Sequence, residues 1–152
     1  MKNQSYNTSI EVPLPPKAVF AHINDVPKWW IKEVAGASTE FEGKSSNLND
    51  EFILRHGDNH YSKHKLIEVI PNKKVVWLVT DSKLNWIKEN KQEWTGTKMI
   101  FEIVPGEEKT TLIFTHDGLT PQLECYAHCV HFWERVIKNW LYNLMIEDAT
   151  AQ

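Results

Sequence analysis

The stretch PQLECYAHCVHFWERVIKNWLYNLM, Pro121 to Met145, reads as one amphipathic helix. At about 100° per residue, Tyr126, Val130, Trp133, Ile137, Trp140, Leu141 and Leu144 gather on one face, and His128, His131, Arg135 and Tyr142 gather opposite. A long tract of strand-like sequence precedes this helix, so it supplies most of one wall of the core. The Trp residues on its apolar face are bulkier than a flat sheet requires. They predict a curved sheet wrapped around the helix, with room left between them where function would reside.

Upstream, Ser5 to Val12 alternates cleanly, with Tyr6, Thr8, Ile10 and Val12 on one side, and reads as a strand with one wet face. Pro13, Pro15 and Pro16 end it. Pro16 is placed to open a helix whose apolar positions are Val19, Phe20 and Ile23. Asp25 and Pro27 then mark a second short turn leading to Trp29, Trp30 and Ile31. From Ala35 the period shifts to two, and strands are expected at 37–41, 51–56, 61–70, 75–81, 97–104 and 110–116. Gly57-Asp58-Asn59, Pro71-Asn72 and Pro105-Gly106-Glu107 are turn sequences, and short links between consecutive strands make an antiparallel meander. The segment from Ser82 to Gly96 is long for a hairpin connection; it is either a lid or a loop whose aromatics pack locally.

Composition bounds the function. A length of 152 residues suits one domain, 1–152, and values of 41% hydrophobic and 24% charged residues are ordinary for a globular chain. Seven Trp are many for this size and suit a large aromatic core or an aromatic-lined pocket. A net charge of −3 without a basic stripe argues against nucleic-acid binding. No stretch is long and apolar enough for a membrane span or a leader, so a cytoplasmic location is expected. Cys125 and Cys129 sit on one helix and read as reduced thiols.

In the order of its elements and in several local motifs, the chain resembles the START-like, or helix-grip (SRPBCC), superfamily of birch-pollen-allergen-like proteins. Within it, the chain is similar to small bacterial proteins related to the C-terminal domain of activators of the heat-shock-protein-90 ATPase. The motifs are Pro16-Lys17-Ala18-Val19-Phe20, Trp29-Trp30, the strand-turn-strand from Ile67 to Trp77, and Thr110 to Leu119. In two places the chain departs from the family's pattern. Phe132-Trp133 stands where a Gly-Trp pair is common, and Asn49-Asp50-Glu51-Phe52 replaces an early Gly-Gly segment. The resemblance implies an α+β helix-grip fold: a curved antiparallel sheet of six or seven strands around the C-terminal helix, with two short helices after the first strand. It also implies a cavity often used for a hydrophobic small molecule, and it raises a stress-related co-chaperone role as an alternative, since one fold hosts many functions.

Several residue groups invite chemistry. Cys125, Cys129, His128 and His131 are soft ligands on one helix, but His128 and His131 point well away from Cys129, so no metal site is expected. His116 shares parity with Leu112 and Phe114. It therefore faces inward, either as a ligand hydrogen-bonding group or acid/base, or as a His satisfied at a strand end. Arg55, His56, His64 and Lys65 form either a polar pocket mouth or solvated outer-face residues, the latter being favoured. Serine elbows, phosphate loops and dinucleotide fingerprints are absent, which lowers the expectation of an enzyme. The expected activity is non-catalytic binding of an apolar or aromatic molecule between sheet and helix, with no cofactor and with a chaperone as the alternative partner. By strand parity and helix face, the expected lining is Trp77, Val79, Met99, Phe101, Phe114, His116, Tyr126, Trp133, Ile137 and Trp140.

Overall fold

The period-two segments of the sequence become seven strands in the computed structural model, which describes residues 5–30 and 39–151. They are β1 (Tyr6–Val12), β2 (Thr39–Gly43), β3 (Glu51–His56), β4 (His60–Ile70), β5 (Lys74–Leu84), β6 (Lys98–Pro105) and β7 (Thr110–Asp117). Between β1 and β2 lie two short helices, α1 (Pro16–Asn24) and α2 (Val26–Trp29). The strands form one sheet in the order β1-β7-β6-β5-β4-β3-β2, every neighbouring pair antiparallel. Sequence neighbours β1 and β2 are thus the two edges, and α1 and α2 connect them.

Local chemistry explains the boundaries. Pro16 opens α1, where its missing N–H costs nothing. Asn72 takes φ +64° in the β4–β5 turn, as the Pro71-Asn72 pair foretells. Register shifts interrupt the β4–β5 ladder at Lys63/His64 and at Leu66/Glu68, and such irregularities bend and twist a sheet. Of the strand expected from Ala37, residues 37 and 38 lie outside the described residues, as does Ile31; the pairing starts at Thr39.

The C-terminal helix starts later and ends later than its periodicity predicts. Residues 121–125 form turns, followed by α3 (Tyr126–Arg135), a π-helical segment (Val136–Leu141) and α4 (Tyr142–Ala151). Its buried stripe shares Trp133, Ile137 and Leu141 with the expected one and otherwise differs. Cys125, Cys129, Trp133, Val136, Ile137, Leu141 and Met145 are buried, whereas Tyr126, Val130, Trp140 and Leu144 are half-buried. A stripe spaced by four drifts about 40° per step on an ideal α-helix. A π turn closes on the i+5 bond and rotates less per residue, so the insertion keeps that stripe against the sheet.

The room predicted between sheet and helix is filled in its middle. Trp30 of the α2 turn meets Trp133 edge-on with ring centroids 5.1 Å apart, and Trp29 stacks on Trp77 at 6.0 Å. Phe101 lies 4.8 Å from Trp77, and Phe114 lies 4.5 Å from Trp133. Burying so many rings supplies much of the apolar driving force, each worth about 2–3 kcal/mol on transfer from water.

Candidate functional site

Strand parity carries three histidines inward. On β3, Phe52, Leu54 and His56 are buried, and on β4 His60, Ser62, His64 and Leu66 are buried in the same alternation. The outer-face reading of His56 and His64 is therefore corrected: both share the parity of core Leu and Phe residues, while Arg55 and Lys65 occupy the other face. His60 falls outside the residue groups marked from the sequence, although its even spacing to Leu66 signals the same inward face.

These histidines are tied into directed hydrogen bonds. Trp30 Nε1–H donates to His56 Nε2 at 3.1 Å, so His56 holds its proton on Nδ1, 2.9 Å from Thr39 Oγ1. Ser62 Oγ lies 2.8 Å from both His60 Nε2 and His64 Nε2. Burial pushes the His56 pKa down to about 4 and that of His64 to about 3; burial, then the nearby His56 and His64, holds His60 well below its ordinary value. All three are neutral at neutral pH.

His116 has both nitrogens committed. Trp133 Nε1–H donates to His116 Nδ1 at 3.0 Å, and His116 Nε2–H donates to Thr97 Oγ1 at 2.8 Å. The Thr97 hydroxyl in turn donates to the Trp94 carbonyl at 2.6 Å. Gly118, at φ +106°, makes room for this relay, since a Cβ there would come within 2.7 Å of Thr97 Cγ2. His116 is fully buried, its pKa lowered by burial to about 3. The arrangement positions Trp133 and Trp94 and leaves no ring nitrogen for proton exchange with a ligand.

The 85–97 loop combines the two alternatives read from its sequence. Ile87 and Trp94 pack inward, while Trp86 is 37% exposed and rests on His128 with ring centroids 4.4 Å apart. Two carboxylates clasp the loop to the start of α3. Glu124 accepts the Lys88 and Glu89 N–H groups, both at 2.9 Å, and Glu93 accepts those of Glu124 and Cys125 at 2.9 and 3.1 Å. The bonds from Lys88 and Glu89 pull the Glu124 pKa below its usual value.

Loop, hairpin and helix enclose a pocket of about 210 Å³ lined by His56, Asn59, His60, Trp86, Trp94, His128, Cys129 and Phe132. Phe132 is one of the departures from the family pattern, and its ring occupies this wall. None of the ten expected lining residues borders the pocket. Trp77, Val79, Met99, Phe101, Phe114, His116, Trp133 and Ile137 are fully buried, and Tyr126 and Trp140 half-buried in the same core cluster. Trp133 nonetheless stacks on the pocket residue Trp94 at 5.9 Å and 11°, forming a second layer behind it.

Cys125 and Cys129 are free and buried, and the Cys125 thiol pKa is raised by its bond to Cys129 and by burial. Among the described residues, no three His, Cys, Asp or Glu side chains are placed to hold a metal ion. Among them, too, no helix is long and apolar enough to cross a membrane.

A seven-stranded antiparallel sheet gripping a C-terminal helix defines the START-like, helix-grip class. Within that class, the model of the family described as "Activator of Hsp90 ATPase homolog 1-like protein" matches residues 14–145, and the chain belongs to this family. The solved Aha1 dimer from Colwellia psychrerythraea is similar at 20% identity and TM-score 0.70, over 96% of this chain and 97% of that one. Protein MLL2253 from Mesorhizobium loti matches at 15% identity and TM-score 0.66, over 91% and 96%. Protein CV1439 from Chromobacterium violaceum matches at 12% and 0.64, over 92% and 97%. At these identities the likeness concerns the fold. No curated protein matches the sequence significantly.

Proposed function

We propose that this family member binds a small apolar or aromatic molecule, without catalysis, in the pocket between the β3–β4 hairpin, the 85–97 loop and α3. The observation that carries this reading is the hollow of about 210 Å³, walled largely by rings, at one end of an otherwise close-packed interior. A cleft walled by rings on several sides with a few polar groups among them is the setting in which small-molecule sites are built. Typical pockets for drug-sized ligands run to about 300–1,000 Å³, which points to a ligand smaller than a sterol or a long acyl chain. The ten residues expected as lining form the packed layer that holds Trp94 and the helix in place.

Native mass spectrometry of protein purified from its own host, compared with the denatured mass, tests the reading. The expected result is a mass excess that disappears on denaturation. His128→Trp, a substitution at an exposed helix position on the pocket wall, is expected to weaken uptake of a small apolar probe at least several-fold. Bare protein together with no saturable binding of apolar rings would sink the proposal.

Family membership supports a second reading, a partner-binding module acting with a heat-shock ATPase. The observation favouring it is the filled interior, with Trp29, Trp30, Trp77 and Trp133 all at 0% exposure. Recovery of a chaperone in a pull-down that depends on Trp86 and its loop would favour this reading over the first.

A further inference from the structure

Ser62 has one hydroxyl proton and two histidine neighbours, and that count fixes the chemistry of the pocket. The proton can serve only one of His60 Nε2 and His64 Nε2, so the other nitrogen must donate to Ser62 Oγ. His64 decides which. Its Nδ1 is fully buried and has no hydrogen-bond partner. The Nε1–H groups of Trp77 and Trp94 are already buried without partners; a third orphaned donor costs more than an unpaired lone pair, which favours the lone pair on His64 Nδ1 and the proton on Nε2. His64 Nε2–H therefore donates to Ser62, Ser62 donates to His60 Nε2, and the proton of neutral His60 is left on Nδ1. His60 lines the pocket, and its Nδ1 has no partner among the described residues.

The other walls limit the ligand further. Both nitrogens of His56 are occupied by Trp30 and Thr39, so it offers the pocket carbon and ring surface. None of the lining residues is Lys, Arg, Asp or Glu, so no permanently charged side chain offsets the desolvation of an ionised ligand, and the polar side chains besides the buried histidines are Asn59 and His128 at the exposed rim. Trp86, Trp94, Phe132 and His60 supply ring faces and edges on several sides, His60 lying 5.0 Å from Trp94 in a T-shaped contact. An apolar cavity of about 150 Å³ takes benzene, so about 210 Å³ accommodates a ring with a short substituent.

We infer that the ligand is an uncharged aromatic molecule, one ring with a short substituent, carrying a hydrogen-bond acceptor at its edge that His60 Nδ1–H engages. This rests on the pocket being the binding site proposed above and adds the ligand's chemical class.

Three probes of nearly equal size separate the contributions: ethylbenzene offers the ring alone, acetophenone adds a neutral acceptor, and benzoate adds a charge. In nuclear magnetic resonance titrations of the full chain, acetophenone is expected to bind roughly tenfold tighter than ethylbenzene, the net worth of one hydrogen bond. Benzoate is expected to be the weakest. His60→Phe should level acetophenone with ethylbenzene. Equal affinities for the two neutral rings in the unaltered protein, tightest binding of benzoate, or an acetophenone preference that survives His60→Phe each overturn the inference while leaving the pocket as a site. Failure of ethylbenzene and acetophenone alike would remove the binding reading itself. The imidazole nitrogen shifts of the unaltered protein give a test that does not depend on a variant's folding. His60 is expected as the Nδ1–H neutral tautomer, and the Nε2–H form would overturn the proposal.

Discussion

The middle and the open end of the space between sheet and helix are built from the same material, aromatic rings, yet one is solid and the other hollow. In the middle, rings arrive from three directions: Trp29 and Trp30 from the α2 turn, Trp77, Phe101 and Phe114 from the sheet, and Trp133 from α3. At the open end, the third direction is supplied by the 85–97 loop, whose Trp86 stays partly in solvent. Polar satisfaction differs in the same sense. His116 in the middle uses both nitrogens on protein partners, whereas the histidine line at the open end finishes in a group with spare bonding capacity. Ring content alone therefore does not identify a pocket; how deeply the third element seats its rings does, Trp29 and Trp30 being fully buried and Trp86 37% exposed.

The largest effect that separates the two regions from an ordinary apolar core is acid sensitivity. His56, His64 and His116 have pKa values lowered by burial to about 4, 3 and 3, and His60 lies well below its usual value. In the unfolded chain each binds a proton near its ordinary value of about 6.5. Below that pH the unfolded state holds more protons than the folded state, so the stability present above about 6.5 is lost as pH falls toward the folded values. Each histidine in that window removes about 1.4 kcal/mol per pH unit, and a domain is worth only about 5–15 kcal/mol in total. Unfolding by circular dichroism is expected at mildly acidic pH, and a folded protein at pH 3 would break this account of the histidines.

The next effect tests the solid middle. Trp133→Ala removes the ring packed on Trp30, Phe114 and Trp94 and strips His116 Nδ1 of its donor. The expected cost is about 3–5 kcal/mol in urea unfolding. A loss under about 1 kcal/mol would mean that the middle is not close-packed.

At the hollow end, Glu93→Ala removes the carboxylate that holds the Glu124 and Cys125 N–H groups. By analogy with a lost helix cap, the cost is about 1 kcal/mol, and hydrogen exchange should rise locally at residues 124 and 125. Its partner clasp weakens in acid by the opposite kind of group: the Glu124 pKa is lowered by its bonds to Lys88 and Glu89, so the clasp is intact above the ordinary carboxylate range and is lost as pH falls through that lowered value. The smallest effect on stability belongs to Trp86→Ala, expected within about 0.5 kcal/mol because the ring is partly exposed, but with clear loss of probe binding. A large destabilisation there would erase the distinction between the two regions.

Much of the architecture is legible without coordinates. The alternation in β1 and β3, the turn chemistry at Pro71-Asn72 and the proline start of α1 are local, and the structure keeps them. A uniform 100° step places Trp133, Ile137 and Leu141 correctly on the buried face but not Cys125, Cys129, Val136 and Met145, because it ignores the π-helical segment that resets the phase of the stripe. His56 and His64 were read as outward because histidine is polar, although parity put them beside Phe52, Leu54 and Leu66. His56 is satisfied by Trp30 and Thr39, 26 and 17 residues away in the chain, whereas the partner of His64 is Ser62, two residues away on the same strand.

The sequence by itself determined the meander, the two short helices, the gripping helix and the family, because period, turn residues and motif order are local or strictly ordered along the chain. Tertiary structure alone decided where the space lies. Trp29 and Trp30 swing in from α2 to fill the middle, and the 85–97 loop is clasped over the end by Glu93 and Glu124. Filling a cavity depends on how bulky side chains from distant segments meet, and no local pattern along the chain encodes that meeting.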